Sequence, residues 1–253
     1  MKLRKPLMLT TLIYLIVSGY GELKAQSNFI KVDNFDKVVV SPHVQVILQE
    51  GETESVTIEN HGVDEEKINV RVDGKTLSIY LDQAKVYTRS YKTYENGRKR
   101  KNPIYRGTLV TAHITYKDLK KLEVRGEETA NCISPIIADA FTLILYGESR
   151  VTLTSVESER MKILMFGENE LEIQEGSINR QKINSYGENK LKAAGVNSRI
   201  TKINTFGESK FKLNVLDNLR VTAFGESDIN YTGDAYLNKG IVIGENKIYQ
   251  NSY

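Results

Sequence analysis

The sequence predicts an all-β protein of the β-helix type, a solenoid with coils of about 20 residues. Two observations carry that expectation. From residue 126 onward a Gly-Glu pair recurs seven times, at Gly126, Gly147, Gly167, Gly187, Gly207, Gly225 and Gly244, with spacings of 21, 20, 20, 20, 18 and 19 residues. Between these marks apolar and polar residues alternate, as in Lys182-Ile183-Asn184-Ser185-Tyr186 and Ser209-Lys210-Phe211-Lys212-Leu213. Alternation with period two, broken by glycine and polar turns, reads as half-buried strand, and no segment carries an apolar stripe at helical period. A propeller blade needs roughly twice this length, and the framework of a leucine-rich repeat is missing. One coil of a β-helix fits.

Counted from each glycine as zero, the even positions are mostly apolar or small. Four before it stand Leu143, Ile163, Ile183, Ile203 and Val221; four after it stand Val151, Leu171, Leu191, Phe211, Ile229 and Ile248. Two after it come Ser149, Asn169, Asn189, Ser209, Ser227 and Asn246. These columns are expected to point inward and stack at the ~4.8 Å strand spacing, the Asn/Ser column bonding to itself along the stack. The seven glycines are read as structural turn residues at a tight corner. Tyr146, Phe166, Tyr186, Phe206 and Phe224 precede five of them. If strand parity holds through the glycine they face outward and form a candidate binding row for sugar rings or a partner protein. If the glycine flips parity they stack inside, the commoner fate of aromatic side chains.

Glu127, Glu148, Glu168, Glu188, Glu208, Glu226 and Glu245 follow the glycines and should form an outer acidic column. Carboxylates ~5 Å apart repel by about 1 kcal/mol in water. Calcium could relieve this through oxygen ligands, but so could Arg150, Lys190, Lys210 and Lys247 close by. The nine-residue Gly/Asp-rich pattern of calcium-binding β-rolls is missing. Neutralisation by the cations is therefore expected, and no metal or cofactor is predicted.

Residues 37–48, 55–60, 68–72 and 76–81 also read as strands, the last two joined by the turn Asp73-Gly74-Lys75. Residues 26–83 carry a net charge of −6, whereas residues 84–106 carry +7 with Tyr87, Tyr91, Tyr94 and Tyr105 interleaved. Asn96-Gly97 at the centre of that basic stretch signals a hairpin turn. A projecting basic hairpin is predicted there, inserted before the repeats resume at Thr108. Arg98, Lys99, Arg100 and Lys101 are its candidate contacts for lipopolysaccharide phosphate, an acidic envelope polysaccharide or another protein, a second copy of the chain included.

The chain is 253 residues long, 40% hydrophobic and 26% charged, enough to build a core. Lys2, Arg4 and Lys5 precede the apolar residues 7–17, and a polar stretch ends at Ala25. That pattern predicts a cleavable signal peptide over residues 1–25; the apolar run is short for a ~20-residue membrane span. The mature chain is expected to have no transmembrane segment and to be exported to the periplasm, outer-membrane surface or medium. Residues 26–253 should then form a single domain, with residues 26–106 its N-terminal part and residues 107–253 the regular repeats. After residue 25 the charges balance, which excludes a globally basic nucleic-acid binder. One cysteine and three histidines exclude a disulfide framework and a zinc site of the usual Cys/His kind. Cys132 reads as a small buried hydrophobe, and His43, His61 and His113 as surface or strand histidines outside any nucleophile motif.

The chain resembles a known family at Phe35-Asp36-Lys37-Val38-Val39-Val40-Ser41, at Val72-Asp73-Gly74-Lys75-Thr76-Leu77-Ser78-Ile79, and at residues 115–124 running into Gly126. These segments are similar to the auto-transporter adhesin head GIN domain of Bacteroides-type bacteria, over roughly residues 29–245. The resemblance implies an exported β-helix with a repeated glycine turn in its second half. Many relatives use Gly-Ser-Gly where this chain uses Gly-Glu-Asn or Gly-Glu-Ser, a departure that touches the ligand more than the fold. The function expected is that of an exported, non-enzymatic adhesin or binding protein of the cell envelope. The alternative is a polysaccharide lyase or hydrolase on the same scaffold, which would present a concave cleft with a unique cluster of acid, base and arginine.

Overall fold

The computed structural model describes residues 28–95 and 97–251; the predicted signal peptide, residues 1–25, and Asn96 of the expected hairpin turn lie outside the described residues. The protein is 75% strand with essentially no helix, and its β-solenoid makes about six turns with coils roughly 20 residues apart. The first strands are β1 (Asn28–Lys31), β2 (Lys37–Val40), β3 (Val44–Glu50), β4 (Ser55–Asn60), β5 (Ile68–Asp73) and β6 (Thr76–Leu81). After the insertion strands β7 (Ser90–Glu95) and β8 (Arg98–Pro103) come β9 (Val110–Tyr116), β10 (Lys121–Gly126) and β11 (Thr129–Cys132). Longer runs that bend through the corners complete the stack: β12 (Ile136–Gly147), β13 (Arg150–Gly167), β14 (Glu170–Thr232), β15 (Tyr236–Ile243) and β16 (Asn246–Gln250).

Register in the regular part is parallel and residue over residue, so Gly126, Gly147, Gly167 and Gly187 fall into one column. The expected inward columns are the core: Leu143, Ile163, Ile183, Ile203 and Val221 are fully buried, as are Leu171, Leu191 and Ile229. The Asn/Ser column bonds along its length. Ser149 Oγ donates to Asn169 Oδ1 at 2.8 Å, and Asn169 Nδ2 donates to Asn189 Oδ1 at 3.0 Å. Asn189 Nδ2 donates in turn to Ser185 Oγ at 3.0 Å, and Ser185 meets Ser209 at 3.0 Å. The column stops there, since Ser227 Oγ is buried without a partner.

The N-terminal end departs from chain order. Strands β2 and β3 stack on β10 and β11, and β6 and β9 stack on β2 and β3 from outside, all parallel. The outermost coil is thus β6–β9, with the earlier β2–β3 coil sandwiched inside it. Antiparallel strands close this end: β5 on β6, β4 on β9, and β1 on β4. The insertion between β6 and β9 takes the same corner that Gly-Glu takes in later coils, with Ser41-Pro42-His43 as the corner between them.

Candidate functional site

Three exposed features grow out of that corner. The first is the aromatic row, which faces out: Tyr146, Tyr186 and Phe206 keep 39, 40 and 38% of their surface exposed. Parity holds because the glycine absorbs the corner without a side chain, leaving the residues on either side of it outside. An internal aromatic stack does not form. The five rings stack face to face, with centroids 5.0 to 5.2 Å apart and planes within 2 to 10°. The parallel, residue-over-residue register sets this parallel stacking. A sugar ring stacks on a ring face, and these faces cover one another. The row therefore offers edges along its length and an open face only at its ends.

The second feature is the glutamate column. Glu127, Glu148, Glu168, Glu188 and Glu208 line a groove of about 350 Å³ together with Arg150, Lys190 and Lys210. Lys210 Nζ lies 3.7 Å from Glu208 Oε1, and Lys192 Nζ lies 2.6 Å from Glu170 Oε1. Lys210 thus stands by one glutamate of the column, and Lys192 by Glu170 on the strand beside it. Among the described residues no three His, Cys, Asp or Glu side chains converge as a metal site.

The third is the arm. Strands β7 and β8 form an antiparallel sheet of their own, apart from the solenoid sheet. Gly97 turns it at φ 74°. Arg98, Lys99, Arg100 and Lys101 are all exposed, as are Tyr91 and Tyr94. Lys92 lies opposite Lys101, and Tyr94 opposite Lys99. Alternation puts these four on one face, and like charges directly opposite each other destabilise a hairpin.

At the foot of the arm lies a cleft of about 540 Å³. Val86, Tyr87, Tyr105 and Arg106 of the arm form one wall; Arg125, Glu127 and Tyr146 of the repeat corners form the other. His43, expected as a surface or strand histidine, lines this cleft from a corner. His43 is only 9% exposed and holds φ 71°, a left-handed backbone that non-glycine residues adopt at ~1–3 kcal/mol. Its Nδ1–H donates to the Gly107 carbonyl at 2.7 Å, which leaves Nε2 to accept from the Thr88 hydroxyl at 2.6 Å. Both roots of the arm are therefore clamped by one imidazole. Ser41 Oγ adds a bond to the Lys85 carbonyl at 2.7 Å, and Arg125 Nη1 another at 3.2 Å. Arg125 is itself gripped by buried Glu123, through Nε at 2.8 Å and Nη2 at 2.5 Å.

Beneath the cleft sits Glu128, its carboxylate accepting from the Glu127 backbone N–H at 2.9 Å and lying 3.8 Å from His43 Nδ1. Burial pushes this carboxyl above its ordinary range, partly opposed by the backbone N–H groups of Glu127 and His43. Glu128 opens the Asn/Ser column: it stands two after Gly126, where later coils place Ser or Asn. That glutamate at an inward position is the sequence signal that marks the corner as different.

The comparisons agree with this architecture. A family model described as "Putative auto-transporter adhesin, head GIN domain" matches residues 34–235. The chain belongs to that family. Crystal structures of a putative adhesin from Bacteroides fragilis NCTC 9343 and of one from Parabacteroides merdae ATCC 43184 are similar to this chain in fold. The first has a TM-score of 0.69 at 15% identity, covering 89% of this chain and 96% of that one. The second has a TM-score of 0.61 at 15% identity, covering 89% and 95%. A structure named as a putative lipid binding protein from Parabacteroides distasonis ATCC 8503 gives 0.60 at 18% identity, covering 90% and 96%. No curated protein matches the chain.

Proposed function

We propose that this head GIN protein is exported as a single domain after loss of residues 1–25 and acts at the cell envelope by contact, without catalysis. The observation that carries the reading is the arm, a folded basic hairpin whose strands pair only with each other and whose root is fastened at several points. A lysine pair set directly across a hairpin is a local liability that an anionic partner removes. The name of the family, an adhesin, supports a binding role, and among the described residues no helix is long and apolar enough to cross a membrane.

The enzymatic alternative finds its best cluster in the cleft, where Glu128, His43 and two arginines meet. Its geometry favours a clamp. Both imidazole nitrogens are engaged within the fold, and the Glu128 side chain is 5% exposed with its carboxylate held by backbone. Both groups are engaged in holding the root of the arm, which supports a contact role for this corner.

The test compares the mature protein with a variant in which Arg98, Lys99, Arg100 and Lys101 become Ser, binding to outer-membrane vesicles and to anionic polysaccharide. Contact through exposed charge is screened over ~30 Å at 0.01 M salt but only ~3 Å at 1 M. Binding by the wild type should therefore fall by at least about tenfold across that range, and the variant should bind weakly at both ends. Equal binding by the two proteins, or indifference to salt, contradicts the proposal.

A further inference from the structure

We infer that the cleft at the foot of the arm is a binding site for a sugar residue bearing a carboxylate. The inference deepens the contact reading above and rests on it. The volume, about 540 Å³, lies within the ~300–1,000 Å³ of small-molecule sites. Three tyrosines converge there. Tyr87 is 71% exposed, Tyr105 meets the His43 ring edge-on at 5.7 Å, and Tyr146 is the end ring of the stacked row. Tyr146 is paired in register with Arg125 rather than with another ring, so the aromatic row ends at the cleft beside a guanidinium. Flat tyrosine faces suit the C–H face of a pyranose, and their hydroxyls suit its rim.

The charges set the class of sugar. Arg125 is occupied by Glu123 and the Lys85 carbonyl, whereas Arg106 is an exposed guanidinium on the cleft wall, able to grip a carboxylate with two parallel bonds. Glu127 on the opposite wall accepts from sugar hydroxyls and disfavours a second negative charge. The walls are preorganised, because the His43 clamp joins the two roots of the arm and holds a strained backbone to do so. An uronic acid residue, with one carboxylate and an apolar ring face, matches this set.

Titration calorimetry with an oligogalacturonate, and with the same oligomer fully methyl-esterified, tests the assignment. The acid form should bind at least about tenfold more tightly than the ester. Tyr87→Ala and Arg106→Ser, both exposed positions whose loss leaves the fold alone, should each weaken binding about tenfold or more. The quadruple Ser variant of residues 98–101, weakened overall by the loss of arm charge, should keep the preference for acid over ester at about tenfold, because that preference is set at the foot. No binding of the acid form, equal binding of the ester, or wild-type binding by both foot variants overturns the inference. Loss of the acid-over-ester preference in the quadruple variant, with both foot variants keeping it, overturns it while leaving the contact reading intact. Phosphatidylglycerol vesicles provide the other probe: if the foot residues hold vesicles and not the oligosaccharide, the sugar assignment is wrong.

Discussion

Gly187→Val should lower the unfolding free energy by about 3 kcal/mol or more in urea titration. Two effects add. The residue sits at φ 105°, where a β-branched side chain is strained, and a Cβ there would lie 2.4 Å from the Gly167 carbonyl oxygen. That oxygen cannot retreat easily, because it belongs to the backbone of the coil beneath and the same corner recurs above at Gly207. In a quasi-one-dimensional stack, a broken corner also uncouples the coils on either side. A neutral result would show the glycine column to be an ordinary strand position.

Asn189→Ala should cost about 2–4 kcal/mol, measured the same way. The side chain is 1% exposed and serves four bonds. Its Oδ1 accepts from the Asn169 backbone N–H at 3.1 Å and from Asn169 Nδ2 at 3.0 Å. Its Nδ2 donates to Ser185 Oγ at 3.0 Å and to the Tyr186 carbonyl at 3.2 Å. Alanine would leave those buried partners unpaired, and an unpaired buried group costs more than a satisfied one gains. Ser227→Ala is the control. It removes a hydroxyl with no partner, so its effect should stay within about 0.5 kcal/mol.

The regular coils were legible because parallel stacking repeats one local pattern: Ile163, Ile183 and Ile203 announce their own column. The N-terminal end was less so. Alternation in residues 37–48 marks strands but says nothing about which coil lies on which, and only long-range pairing puts β2–β3 inside β6–β9. The direction of the aromatic row hung on one torsion, the positive φ at each corner glycine, which allows either parity until the corner is built. His43 was illegible for the same reason on a larger scale. Its burial and its left-handed backbone come from Thr88 and Gly107, 45 and 64 residues away, and no local signal near Pro42 specifies them. The arm, by contrast, was plain in the sequence, since its charge, tyrosines and Gly97 are all local.

The central claim is that the coils are a scaffold and the arm with its foot is the contact surface. Amide hydrogen exchange of the mature protein, with and without an acidic polysaccharide, tests it most directly. Binding should slow exchange in residues 84–107 and at the facing corner 125–128, and leave residues 150–232 unchanged. Slowed exchange spread along the glutamate groove or the aromatic row, with the arm unprotected, would contradict the account.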